Sequence, residues 1–367
     1  MKVLFIANYK DGDNGWSEAA LKYILAMDSV GIDVVCRNIK LNNINGNVPK
    51  RIQELEQKDL NNVDVSIQHV LPEMMTQDKK ISLNIGMYYG ETKWRGFHPW
   101  KHHLNKMDHL FVPNEDMSEN HEKDKCTVIP VPIDGISSYK NRKLVKLDSV
   151  KGYKFYWAGD LSRRKNLSCL ISSYYSTFNN SDNVTLILKP SKYGASPEQI
   201  KAEVMHRCKT IAGHLRLYSD LDRYPSIHIL PFNLKRDDLL NLHHTCDCLV
   251  YPSFGEGWGM IVADALALNK RVILNPVGGM KYMKNILKSD SSGIESCKNM
   301  EEIVIGSDHQ FKQIYTARES WYIPSSLDIG RLMKKCFNNK KEVDNSEIFN
   351  SLSYTNNRNM IKNIIKE

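Results

Sequence analysis

Within YPSFGEGWGMIVADAL (251–266), Gly255, Gly257 and Gly259 alternate with one acid, Glu256, and one tryptophan, Trp258. A second acid, Asp264, follows eight residues after the first. The stretch comes straight after the apolar CLVYP and runs into a helix-like MIVADAL, so it reads as strand, glycine-rich turn, helix. In an open parallel sheet, ligands gather at the carboxyl ends of strands, where loops and helix N-termini face the crevice. Glycines let the backbone approach a ligand closely, and the free N–H groups of a helix start favour an anion or a hydroxyl-rich molecule. Glu256 adds a strong acceptor for sugar hydroxyls. The dinucleotide fingerprint G-x-G-x-x-G is not met, because GEGWGM has Met260 at its sixth place and the loop lies late in the chain.

The elements that must position these residues alternate from end to end. KVLFIA (2–7), DVVCRN (33–38), DVSIQHV (64–70), KISLNIG (80–86), HLFVPN (109–114) and CTVIPVP (126–132) are short apolar runs bounded by turn formers, with a helix-like WSEAALKYILAM (16–27) after the first. The pattern restarts with KFYWAGD (154–160), VTLILKP (184–190), SIHILPF (226–232), DCLVYPS (247–253) and RVILNPV (271–277), separated by helical stretches such as LSCLISSYYSTF (167–178) and RDDLLNLHHT (236–245). This rhythm implies parallel sheets covered on both faces. The polar, basic segment 136–152 between the halves reads as a hinge. The expected architecture is α/β: an N-terminal Rossmann-like domain over 1–150 and a C-terminal one over 151–345, their sheets facing across a cleft. The tail TNNRNMIKNIIKE (355–367) repeats apolar residues at helical spacing and predicts a terminal helix that docks on a neighbour.

A chain of 367 residues exceeds what one hydrophobic core usually supports, which agrees with two domains. The apolar fraction, 41%, is that of a globular protein rather than a disordered one. No run reaches the roughly 18 apolar residues of a membrane span, and the eight cysteines form no CxxC pair. A cytoplasmic protein with reduced thiols is expected. HHTCDC (243–248) offers His243, His244, Cys246 and Cys248 as zinc ligands, but at a spacing that matches no usual structural zinc pattern. Asp11 with Asp13, and Asp220 with Asp222, form D-x-D strings that read as turn formers, so no metal site is expected. The net charge of +8 suits a polyanionic partner such as nucleotide phosphates, and is compatible with peripheral contact with acidic lipid headgroups. A nucleic acid partner is disfavoured, since no recognition helix or interleaved basic and aromatic stripe appears.

The E-G-aromatic-G turn with its second carboxylate resembles the signature of the retaining family 4 glycosyltransferases of GT-B fold, the glycosyl transferases group 1. On that resemblance Glu256 and the amides of Gly257, Trp258 and Gly259 hold the donor sugar, and Asp264 takes the ribose hydroxyls. Asp264 departs from the family's glutamate by one methylene. WAGDLSRRKNLSCLI (157–171) is similar to the strand, turn and helix where a Gly-Arg pair and a following Lys clamp the donor diphosphate. Gly159 and Lys165 match, whereas Asp160 stands where arginine is expected. Arg164 or Arg163 can supply the missing cation, because a guanidinium binds phosphate bidentately. Pro231 and Phe232 fall where the base is often held, Gly278 and Gly279 in the family's Gly-Gly loop, and Gly15 where a glycine loop closes over the donor.

His69 and Glu91 sit at strand ends on the acceptor side, and Trp94 and Trp100 are candidates for an acceptor platform. The resemblance implies sugar transfer from a UDP- or GDP-sugar to a glycan, lipid-linked or other hydroxyl acceptor, by a hexosyltransferase that needs no cofactor. In such folds the final helix crosses back to the first domain. Alternatives are a GT-B epimerase or phosphorylase, and a sugar-nucleotide-binding protein without turnover, the latter motivated by Asp160 and Asp264.

Overall fold

The computed structural model describes residues 1–11, 14–41, 46–133, 139–147, 150–287, 292–306, 315–357 and 361. It divides into two compact units: Met1–Ser138 with Gly257–Met260 and Ile348–Glu367, and Tyr139–Glu256 with Ile261–Glu347.

In the first unit the strands are β1 (Lys2–Ala7), β2 (Asp33–Asn38), β3 (Val65–His69), β4 (Leu83–Met87), the two-residue β5 (Lys93–Trp94), β6 (His109–Val112) and β7 (Cys126–Val128). The helices are α1 (Gly15–Asp28), α2 (Lys50–Glu56), α3 (Lys101–Leu104) and α4 (Glu115–Ser118). Six strands form one parallel sheet in the order β2-β1-β3-β4-β6-β7. Helix α1 starts where Asn14 accepts a hydrogen bond from the Ser17 amide, an N-cap that satisfies one orphan donor. Its Ala19, Ala20, Tyr23, Ile24 and Met27 form the face buried in the core. The chain's late segment also belongs here: the Ile133 amide donates to the Leu352 carbonyl at 2.8 Å, and Ile133 and Ser353 form a parallel bridge. Most of the expected terminal helix, like Asp13 and part of the expected hinge, lies outside the described residues, although Ile361 is buried.

The second unit holds β8 (Tyr153–Asp160), β9 (Val184–Ser191), β10 (Ile227–Ile229), β11 (Cys248–Tyr251), β12 (Arg271–Leu274) and β13 (Ile294–Ser296). They form a second parallel sheet, β10-β9-β8-β11-β12-β13. Its helices are α5 (Leu167–Thr177), α6 (Pro197–Leu215), α7 (Arg236–Thr245), α8 (Met260–Ala267), α9 (Gly279–Ile286) and α10 (Ser326–Asn338); β14 (Met300–Val304) pairs antiparallel with β15 (Glu319–Pro324), and the following α11 (Glu347–Leu352) belongs, from Ile348 on, to the first unit. Helix α6 opens on a capping box, Ser196 with Gln199, and Pro197 at its first position. Strands β8, β9 and β11 are apolar and almost wholly buried, as strands covered on both faces must be.

The strand order fixes where ligands belong. From β8 the chain steps to β9 and β10 on one side, then returns to place β11 on the other side of β8. The carboxyl ends of β8 and β11 therefore flank a topological switch point. In the first sheet β1 lies between β2 and β3, and the last residues of β1 and β3, Ala7 and His69, stand side by side.

Candidate functional site

At the switch point of the second unit, the loops after β8 and β11 meet in a charged cluster. After β8 the chain makes a 3₁₀ turn, Arg163–Lys165, and enters α5 through Asn166 in the left-handed region, φ 54°. The Phe254 amide donates to the Arg164 carbonyl at 2.8 Å, and the Asn166 side chain donates to the Pro252 carbonyl at 3.1 Å, fastening one loop to the other. Arg164 Nη1 then reaches Glu256 Oε1 at 2.8 Å and Lys165 Nζ reaches the same oxygen at 2.6 Å. The Ser253 hydroxyl lies 2.9 Å from that oxygen and the Tyr251 hydroxyl 3.2 Å from it. Lys165 also donates to the Tyr251 hydroxyl at 2.8 Å. All four groups converge on Oε1; Oε2 takes none of these contacts.

Burial of Glu256 by itself raises its pKa, but the charges of Arg164 and Lys165, with hydrogen bonds from Lys165 and Ser253, outweigh that and hold the carboxyl at about 2. The carboxylate is thus ionised at neutral pH. Two cations against one anion leave a positive excess in a site where only 11% of the Arg164 side chain and 12% of the Lys165 side chain is exposed. Low polarity strengthens that field. Because the folded pKa lies below the unfolded one, about 4.3, the stabilisation from this carboxylate is complete above that value and is lost as pH falls toward 2. The melting-temperature gap between wild type and Glu256→Gln should therefore narrow steadily from pH 5 to pH 3.

Asp264, in α8, is 1% exposed. Its two carboxylate oxygens are gripped by the Arg236 guanidinium at the start of α7, and Oδ1 also accepts from the Tyr139 hydroxyl at 3.0 Å. Spacing in the sequence gave no sign of Arg236 or Tyr139 as partners; nor did it single out Ser253, Tyr251 or Asn275. Asn275 is fully buried and donates to the Ser253 and Tyr322 carbonyls at 2.8 Å each, tying the loop that carries Glu256 to the end of β12.

The Asp160 carboxylate accepts from the Ser162 amide at 2.9 Å and shapes the turn. Gly159 faces Trp157, where a Cβ would meet the indole at 3.1 Å. Arg163 lines a cavity whose wall also includes Lys192 and Phe254. Pro231 is buried and Phe232 is 58% exposed. Gly259 has φ +94° and Gly278 φ +52°, conformations that favour glycine. Glu256, Trp258 and Gly257 are all buried, and within the first unit the Gly257 carbonyl accepts from Asn114 Nδ2 at 2.6 Å.

In the first unit, His69 ends β3 with no exposed surface and no hydrogen-bond partner on either ring nitrogen. Trp16 stacks on it at 4.7 Å and Tyr89 meets it edge-on at 5.1 Å. The Trp16 indole N–H is buried without a hydrogen-bond partner as well, and the Tyr89 hydroxyl is buried near Tyr23. His69 and Trp16 thus meet at the carboxyl end of a strand with polar capacity unused, an arrangement that native proteins rarely leave without a role. Gly15, the first residue of α1, packs next to Met260, and Glu91 is half-buried in the loop after β4. Trp94 and Trp100 are packing residues: Trp94 stacks on His98 at 4.2 Å, and both tryptophans lie edge-on to or beside Tyr88.

Burial pushes the His69 pKa down to about 3. The unfolded chain takes up the proton near pH 6.5 while the folded one does not. Stability from this source is complete above pH 6.5 and declines as pH falls toward 3, by about 2 kcal/mol at pH 5. A His69→Gln variant should show a flatter unfolding free energy between pH 7 and pH 5 than wild type.

The remaining sequence candidates have structural partners. His243 Nδ1 pairs with the Tyr156 hydroxyl at 2.6 Å, and Cys246 and Cys248 are fully buried. Asp220 accepts from the Asp222 amide, and Asp11 accepts from Asn8 Nδ2. Among the described residues no group of three or more His, Cys, Asp or Glu is arranged to hold a metal ion, and no helix is long and apolar enough to cross a membrane.

Two parallel six-stranded sheets in two units make this a GT-B fold, as solved structures bear out. The chain is similar over its whole length to HepE of Anabaena in complex with UDP (TM-score 0.60, 12% identity, 100% of both chains). It is also similar to a glycosyltransferase from Rickettsia africae (0.63, 12%, 100% of this chain and 97% of that one) and to sucrose-phosphate synthase from Thermosynechococcus elongatus (0.63, 11%, 100% and 98%). Residues 224–294, which include Arg236, Glu256 and Asp264, match the family model of the glycosyl transferases group 1. No curated protein matches the sequence. The chain has a GT-B fold, and its likeness to the glycosyl transferases group 1 lies in residues 224–294.

Proposed function

We propose that the protein is a retaining glycosyltransferase that moves a hexose from a nucleoside-diphosphate donor to an acceptor hydroxyl. The observation that carries this reading is the convergence of Arg164, Lys165 and Glu256 at the switch point of the second sheet. Transfer leaves charge on the departing diphosphate, and fixed cations aimed at developing charge supply the largest catalytic effect in such reactions. Arg164 and Lys165 are held in place by Glu256 and carry a net positive charge toward that group. Glu256 offers Oε2 to sugar hydroxyls, so it acts as a sugar holder; front-face attack requires no pair of carboxylates at glycosidase spacing.

Asp264, kept in orientation by Arg236 and Tyr139, is assigned to the ribose hydroxyls, Pro231 and Phe232 to the base, and the amides of 257–259 to the donor sugar. Gly15 and Gly159 allow close approach to the donor. His69 and Glu91 are assigned to the acceptor side. HepE was crystallised with UDP-glucose, which favours UDP over GDP as the donor nucleotide here.

Melting temperatures measured with UDP, GDP and their sugars test the reading. A ligand present at about 100 times its Kd stabilises the folded state by about 2.7 kcal/mol. UDP and UDP-sugars should raise the melting temperature and adenine nucleotides should not; no shift with any sugar nucleotide would end the proposal. Because Arg164 and Lys165 neutralise the leaving group, EDTA is expected to leave turnover unchanged. Conversion of the donor without an acceptor would instead indicate the epimerase, and tight donor binding without transfer the non-catalytic binder.

A further inference from the structure

The three consecutive cations of the 163–165 turn do not act together. Arg164 and Lys165 go to Glu256, whereas Arg163 lines a cavity of about 770 Å³ that reaches from the β9–α6 loop to Phe254. This cavity opens at the carboxyl ends of β8 and β9, where Asp160 and Ser191 are the last paired residues. Two more cations line it, Lys192 from the loop after β9 and Arg207 from α6.

Two features point to a ligand. Helix α5 begins at the cavity wall with Leu167 and Ser168, and its cap residue Asn166 makes no side-chain bond to the first turn, so the helix presents its positive end there. Beside it the Ser162 hydroxyl is buried, 4% exposed for the residue, with no hydrogen-bond partner. Leaving such a group without a partner is costly, and a phosphate oxygen would satisfy it.

The lining also carries carboxylates. Glu203 bridges Lys192 at 2.7 Å and Arg207 at 3.3 Å, and Asp160 keeps one oxygen beyond the contact with the Ser162 amide. Carboxylates repel a bare anion but accept sugar hydroxyls. Tyr193, 88% exposed, adds an aromatic face at the rim. We infer that the cavity between the β8–α5 and β9–α6 loops is a second ligand site, for a sugar phosphate. Arg163, the Ser162 hydroxyl and the α5 amides take the phosphate; Glu203 and Asp160 take the hydroxyls. The groups assigned to this ligand are not those that contact Glu256, although Asn166 and Phe254, which fasten the loops of that cluster, also line the cavity.

Calorimetric titration of the full-length protein with glucose 6-phosphate tests it, with glucose and inorganic phosphate as partial probes. Saturable binding of glucose 6-phosphate, tighter than either partial probe, is expected. Arg207→Glu should raise its Kd at least about tenfold, equivalent to about 1.4 kcal/mol, and Glu256→Gln should leave that Kd unchanged. Lys192→Glu, on an exposed loop, gives the same readout should Arg207→Glu not fold. Absence of saturable binding overturns the inference, as does binding unaffected by both charge reversals. Loss of binding in Glu256→Gln overturns it too, because that assigns the sugar phosphate to the donor cluster.

Discussion

Lys165→Ala is expected to lower turnover at least about tenfold with little change in donor affinity, since one preformed electrostatic contact to developing charge contributes on that order or more. The ammonium sits between the Tyr251 hydroxyl at 2.8 Å and Glu256 Oε1 at 2.6 Å, a position fixed from two sides. Arginine is longer and its planar fork cannot occupy the same point, so Lys165→Arg should recover only a small part of the rate. Measuring kcat and KM for the donor separately checks this: a rise in KM alone, with kcat intact, would mean that Lys165 merely binds the ground state.

Glu256→Ala should do more, because it acts on both stability and rate. Removing the carboxylate leaves Arg164 and Lys165, each only about a tenth exposed, without their shared anion. Breaking a buried ion pair from one side costs about 3 kcal/mol. The same change removes the acceptor for sugar hydroxyls, so turnover should fall by about 100-fold or more. The stability loss should be partly reversed by UDP, whose diphosphate supplies negative charge to the two cations. Chemical denaturation with and without UDP measures both effects; a variant as stable as wild type and equally active would show that the cluster is unrelated to transfer.

The parts of the fold legible in the sequence are those whose signal is local. β1 and β2 run over the residues that their apolar, β-branched runs mark, and β8 begins one residue earlier than its run. Strands buried on both faces in a parallel sheet must be continuously apolar, and that is readable. Helix α6, 19 residues with a weak apolar stripe and a polar surface, did not stand out. The β14–β15 hairpin did not either, since β14 is largely exposed and its polar and apolar residues do not alternate cleanly.

The site divides the same way. Glu256 and Lys165 lie in glycine-rich or basic turns after obvious strands, so their meeting follows from topology. Arg236 and Tyr139 grip Asp264 from positions 28 and 125 residues away, and neither has a distinctive neighbourhood. Asp160, which stands where the resemblance expects arginine, accepts from the Ser162 amide and shapes the turn, a contact that only backbone geometry reveals.

The return of residues 348–357 and Ile361 to the first unit has a consequence for biogenesis. The Ile133 amide finds its acceptor in Leu352, and Ile348, Leu352 and Ile361 fill that core. During synthesis, some 210 residues separate Ser138 from Ile348, which at roughly 5–20 residues per second is a delay on the order of 10 to 40 s. The nascent first unit waits through that interval with part of its apolar surface open to chaperones, while the second unit emerges with all its strands present and is free to fold ahead of it.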